Sequence, residues 1–267
     1  MTEPDFIMST RASYDAIATD YAKTSLAEFA APLFAGPLLD RAIITTFTES
    51  VRTEGPASWA PAATGPAASV GSTAGTAALA STGAVAPLAP VTPIAPVTPV
   101  APVADIGCGP GHITAYLHAL GVPVFGIDLS PAMVARARET YPGLRFEVGS
   151  MTALDIPDGA LGGVAALYST IHVPDDELPA VFREFHRVLA PGGHVLLAFQ
   201  TADEQARLTE WFGHAISLDC HWRQPEAVAG LLDRAGLTPR ARVVREAYEN
   251  ETLPRAFLLA RKQSTDR

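Results

Sequence analysis

The chain has 267 residues, 48% of them hydrophobic, enough for one large domain or two small ones around a sizeable core. A net charge of −9 argues against a nucleic-acid partner whose many phosphates must be neutralised. Cys108 and Cys220 stand far apart without CxxC or His-rich spacing, so neither a disulfide framework nor a structural zinc site is indicated and both are read as reduced thiols. Acids rather than bases follow Met1, with no apolar run beside them, so the expectation is a cytoplasmic chain with no membrane partner.

Two helical patterns come first. Apolar or aromatic residues recur at Tyr14, Ile17, Ala18 and Tyr21, and a similar spacing runs from Leu38 to Phe47. Residues 55–102 then shift to Ala, Pro, Thr, Ser and Gly, a composition that cannot bury a packed core and predicts a disordered insertion. Its end places Pro87, Pro90, Pro93, Pro96, Pro99 and Pro102 at every third position, the polyproline II period, so a partner-docking arm is the functional alternative. Prolines at that density exclude a membrane-spanning helix.

From residue 103 short apolar strands alternate with helices. The strands are expected at Val103–Ile106, Val122–Ile127, Leu144–Val148, Gly163–Tyr168 and His194–Phe199, and helices begin near His112, Pro131, Glu177 and Pro225. Such alternation predicts a doubly wound, mostly parallel α/β sheet covered on both faces. A last pair, Arg240–Val244 and Ala256–Arg261, has no helix between its strands and reads as an antiparallel hairpin at the sheet edge.

The most informative stretch joins the first strand to the next helix. In Asp105-Ile106-Gly107-Cys108-Gly109-Pro110-Gly111, three glycines at alternate positions let the backbone turn sharply and lie against a ligand, while the helix aims its free N–H groups at the same place. Asp128 ends the second strand, where a carboxylate meets a ribose diol. That acid is shared with dinucleotide sites, but the glycines run GxGxG rather than GxGxxG. Asp105 would repel a pyrophosphate and suits the ammonium group of a bound amino acid, which predicts a zwitterionic ligand.

In these features the chain resembles the class I, seven-stranded, Rossmann-like S-adenosylmethionine-dependent methyltransferases. Phe146–Met151, Tyr168–His172 and Phe185–His194, with Pro191-Gly192-Gly193 turning tightly into the fifth strand, extend the likeness over about residues 10–50 and 103–262. The resemblance implies an N-terminal helical lid over residues 1–54, the insertion at 55–102 and a cofactor-binding core at 103–267. S-adenosylmethionine is the implied cofactor and a small molecule the implied methyl acceptor. By the same resemblance Asp105, Gly107 and Gly109 line the methionine part, Asp128 holds the ribose, and Leu129 and Met133 flank the adenine. Ser150, where the family commonly has Asp, and Met151 read the adenine edge, Tyr168 sits near the sulfonium, and Tyr14 and Tyr21 close over the methionine carboxylate.

His172, after the fourth strand, is the candidate base; a satisfied loop histidine is its alternative. Trp211, Phe212, His214, His221 and Trp222 are read as an aromatic wall of the acceptor pocket or a satellite cluster. No metal is expected. Methyl transfer competes with a noncatalytic adaptor using the Pro-rich arm and, more distantly, with nicotinamide-dependent oxidoreduction.

Overall fold

A computed structural model describes residues 3–29, 37–56, 100–248 and 251–263. Almost all of the low-complexity stretch expected at 55–102, including the proline repeat up to Pro99, lies outside the described residues.

Helix α1 spans Asp5–Phe29 and α2 spans Leu38–Glu54. The core begins with β1 (Val103–Ile106), α3 (His112–Ala119), β2 (Val124–Asp128), α4 (Pro131–Thr140), β3 (Arg145–Val148) and β4 (Leu161–Leu167). A single tight turn at Thr170–His172 leads to α5 (Leu178–Val188), β5 (Leu189–Gln200), β6 (Gln205–Trp211), β7 (His214–His221), α6 (Pro225–Arg234), β8 (Leu237–Arg245) and β9 (Arg255–Lys262).

Seven strands form one sheet in the order β3-β2-β1-β4-β5-β9-β8, with β1 to β5 parallel and β9 antiparallel to both β5 and β8. The doubly wound α/β sheet and its antiparallel terminal pair are therefore as expected. Chain order reverses between β1 and β4, which opens a crevice at the carboxyl ends of those strands.

Alternation along the strands sorts the core into two layers. Ala104, Ile106, Val164, Ala166, Val195 and Leu197 face α5 and α6, where Val181, Phe182, Phe185, Val228 and Leu232 meet them. Val103, Ala165, Leu196 and Ala198 face the other way, onto Ile113 and Leu117 of α3 and Ile43, Ile44, Phe47 and Val51 of α2. Of the expected N-terminal lid, α2 is thus a covering layer of the sheet. Helix α1 instead lies across α4 and β7, burying Ile17 and Ala18 against Met133.

Two local features depart from expectation. Pro191-Gly192-Gly193 lies inside β5, which begins at Leu189: Leu161 pairs with Leu189 and Gly163 with His194, so the turn is a bulge within the strand. The segment around Trp211 forms the hairpin β6–β7, a separate two-stranded sheet. Its turn places Phe212 (φ 53°) and Gly213 (φ 77°) both in the left-handed region, the conformation two-residue hairpins favour.

Candidate active site

The glycine loop is fixed from below by its neighbours. Gly107 and Cys108 N–H groups donate to the Ile127 carbonyl at 2.7 and 3.1 Å, which ties the loop to the end of β2. Gly107 has φ 75° and a Cβ there would overlap the Ser169 side chain; Gly111 has φ 88° and a Cβ would press on the Phe146 ring. Gly109 (φ 53°) faces Tyr21, whose ring a Cβ would meet only at 3.9 Å, so its positive φ rather than crowding favours glycine. The backbone is therefore bare where it borders the crevice.

Asp128 braces this loop. Its carboxylate accepts from Gly109 N–H at 2.7 Å and from Ser130 N–H at 2.8 Å, leaving lone pairs on both oxygens for further donors. Burial pushes this carboxyl up to about 6, against the pull of those backbone N–H groups. Asp105, 2% exposed, accepts from Thr114 Oγ1 at 2.6 Å. Burial raises it to about 7, and the neighbouring charge of Asp128 adds to the rise. Two buried acids sharing one pocket leave a place for a positive charge.

Helix α1 is pinned by polar contacts. Asp15 Oδ1 accepts from Ser130 Oγ at 2.5 Å and from Ala132 N–H at 3.1 Å, while Ser130 Oγ itself accepts from Met133 N–H. A carboxylate from α1 thus supplements the N-cap of α4. Tyr14 O–H donates to His172 Nε2 at 2.8 Å, and His172 Nδ1–H donates to the Asp219 carbonyl at 2.8 Å. That pattern requires neutral imidazole, and burial lowers His172 to about 4. Tyr14, Tyr21 and Trp211 meet edge to face, with ring centres 5.4 to 6.4 Å apart.

These elements enclose a cavity of about 950 Å³ at the switch point. Tyr14, Tyr21, Asp105, Gly107, Gly109, Asp128, Leu129, Ser150, Met151, Tyr168 and His172 all border it. Met133 is the exception: from the first turn of α4 its side chain is fully buried beneath Ile17 and Ala18 of α1, so it supports α1 rather than the cavity wall. Ser150 Oγ is engaged with Thr152 Oγ1 at 2.8 Å. Of the aromatic segment, Trp211 and Phe212 reach the cavity, whereas His214 pairs with Asp20 of α1, both half-exposed.

Sequence reasoning missed the far end of the cavity. Asp40 from α2, Gln200 at the end of β5, Glu251, and Arg255 at the start of β9 all border it. Gln200 and Arg255 were findable in principle, because both sit where a strand meets the carboxyl edge of the sheet. Among the described residues, no cluster of His, Cys, Asp or Glu could hold a metal ion, and no helix is long and apolar enough to cross a membrane.

Residues 103–193 match the family described as methyltransferase domain. Over 126 residues the chain is 36% identical to trans-aconitate 2-methyltransferase of Variovorax paradoxus, covering 45% of this chain and 46% of that protein. Over 98 residues it is 37% identical to malonyl-[acyl-carrier protein] O-methyltransferase of Pectobacterium atrosepticum, covering 36% and 37%. The matched stretch thus spans less than half the length of these relatives. In fold, the DhpI–SAH complex matches at a TM-score of 0.63 over 98% of this chain and 99% of that one, with 18% identity. A structure of a methyltransferase from Methanosarcina mazei matches at 0.55 over 61% and 92%, with 20% identity. The sheet order, the glycine loop with its two acids and these likenesses agree: residues 103–193 match a methyltransferase domain, and the chain has the Rossmann-like fold of S-adenosylmethionine-dependent methyltransferases.

Proposed function

We propose that this protein transfers a methyl group from S-adenosylmethionine to a small-molecule acceptor held in the far half of the same cavity. The observation that carries the reading is the pair Asp105 and Asp128, two buried acids raised toward neutrality beside a loop whose alternate positions are glycine. A ligand with an ammonium group and a sulfonium supplies the missing positive charge. A ligand bearing a diphosphate would add negative charge to the same spot, which disfavours the nicotinamide alternative.

When bound, S-adenosylmethionine supplies an activated methyl group on a good leaving group. The chain's own residues then have three tasks. Asp105 would hold the amine, and Asp128, already oriented by Gly109 and Ser130, would accept from ribose hydroxyls. Leu129, Ser150 and Met151 would border the adenine. Tyr14, Tyr21 and Trp211 would cover the centre and exclude water, so that attack is a matter of alignment. His172 is a poor proton acceptor at neutral pH, since both ring nitrogens are occupied and burial lowers it to about 4. We assign it to holding Tyr14, and the acceptor's nucleophile must arrive able to react without it.

The relatives' names point to acceptors as unlike as trans-aconitate and a carrier-bound malonyl group, so they do not choose the acceptor here. The adaptor alternative gains no support from any likeness found. The test is calorimetry with S-adenosylhomocysteine. Asp128→Ala should weaken binding by about a hundredfold, because it removes a charged acceptor and unties the loop. Unchanged affinity would reject the assignment. Incubation with labelled cofactor and a metabolite extract should then reveal a product heavier by one methyl group.

A further inference from the structure

The far end of the cavity carries an unfinished polar site. In the antiparallel register Gln200 of β5 faces Arg255 of β9, which faces Arg245 of β8, a row of three polar side chains across the sheet end. Arg245 is complete. Its guanidinium gives two hydrogen bonds to Asp40 (2.7 and 2.9 Å), two to Glu251 (2.5 and 2.9 Å) and one to the Glu246 carbonyl, which uses all five N–H groups.

Arg255 is not complete. It donates to the Leu253 carbonyl at 2.6 Å, and its Nε lies 3.5 Å from Glu251 Oε1, an oxygen already held by Arg245. Its side chain is only 13% exposed. Its one carboxylate is thus shared with Arg245 and its guanidinium lies 5.8 Å from the Tyr168 ring centre, which leaves N–H donors for a second anion in the cavity. Beside it, Gln200 Oε1 is buried with no hydrogen-bond partner. Both residues border the cavity, together with the apolar side chains of Ile44, Leu167 and Phe257.

We infer that Arg255 and Gln200 form the anchor for the methyl acceptor, and that the acceptor is a small carboxylic acid with an apolar body and a hydroxyl or N–H next to its carboxylate. The fork of Arg255 matches two carboxylate oxygens, Gln200 Oε1 takes the adjacent donor, and the apolar wall covers the rest. The inference rests on the methyltransferase reading of the cavity, whose cofactor half is separate from these residues.

The test uses three probes that differ by one group each: phenylacetate, its methyl ester, and mandelate. Their binding to the protein saturated with S-adenosylhomocysteine, and to the protein without it, is followed by saturation-transfer NMR titration. Phenylacetate should bind about tenfold more tightly than the ester, and mandelate should exceed phenylacetate by about threefold. Arg255→Gln should bring the acid down to the ester, and Gln200→Leu should remove the advantage of mandelate. Affinity for S-adenosylhomocysteine should stay the same in both variants. Equal binding of acid and ester to the unmodified protein overturns the proposal, as does absence of acid binding, and neither depends on a variant folding. Failure to bind S-adenosylhomocysteine, with the acid preference intact, would count against the cofactor reading instead.

Discussion

Replacing Asp105 by Asn should make the ligand-free protein more stable and its cofactor site worse. Asp105 is 2% exposed, and burial raises its carboxyl from an ordinary value of 3.8 to about 7. Between those values the folded state keeps a proton that the unfolded chain releases. The stability contribution of this acid therefore falls as pH rises from about 4 and is fully lost above about 7. At about 1.4 kcal/mol for each pH unit, the upper bound of that loss is on the order of 4 kcal/mol. Asn can still accept from Thr114 Oγ1 but never ionises. Asp105→Asn should accordingly melt several degrees higher than the unmodified protein at pH 8, taking roughly 2–4 °C per kcal/mol for a chain of this size. At pH 4 the gap should nearly close. Affinity for S-adenosylhomocysteine should move the other way, by about tenfold to a hundredfold, because a charge-assisted contact to the amine is lost. Melting curves at the two pH values and calorimetric titration read both effects. A variant that melts below the unmodified protein at pH 8, or a gap that does not change with pH, would show that the charged acid is satisfied without a ligand. Unchanged affinity would show that Asp105 does not meet the amine.

Three further perturbations probe the framework around the site. Arg245→Met leaves Asp40 buried without its partner and Glu251 with only the longer contact to Arg255, and should cost about 3–5 kcal/mol, read as a fall in melting temperature. Arg245 pulls Glu251 down to about 2, so its contribution is present above the ordinary carboxylate range and is lost as pH falls toward 2; the difference between the two proteins should narrow in step. Asp15→Ala strips the acceptor from Ser130 Oγ and Ala132 N–H, so hydrogen exchange in α1 should quicken by about tenfold or more while β1, β4 and β5 keep their protection. Tyr14→Phe removes the hydroxyl that donates to His172 Nε2. The lid should loosen by about 1–3 kcal/mol, and the His172 ring, followed by NMR, should titrate above its value of about 4 as water reaches it.

What the sequence disclosed and what it concealed follow from the range of the forces involved. Strands β1, β2 and β4 were legible because each is a short apolar run closed by a turn or helix start, as was the His194–Phe199 part of β5, and the glycine loop was legible because its chemistry is consecutive in the chain. The hairpin β6–β7 was not read, since β6 is mostly exposed and carries no apolar alternation, although Ile216, Leu218 and Cys220 of β7 do alternate with Ser217 and Asp219. Met133 was misplaced because periodicity reports that a helical residue is buried, and only the position of α1 decides what buries it. Asp15 presented as a polar position on a helix, yet its carboxylate caps α4 from 115 residues away.

The same distinction separates the two halves of the cavity. The half proposed for the cofactor is built from the loop after β1 and the end of β2, where strand order and residue spacing alone bring Asp105, Gly109 and Asp128 together. The far half depends on β9 running back beside β5, so that Gln200 and Arg255 become neighbours through an antiparallel register that the sequence does not announce. A loop-centred half is suited to a ligand that many chains share, because its backbone contacts can be met by any sequence that keeps the glycines and the two acids. An edge built from distant side chains can change one residue at a time without disturbing that loop. If acceptor choice resides there, exchanging Arg255 and Gln200 should change which acids bind while leaving S-adenosylhomocysteine affinity where it was.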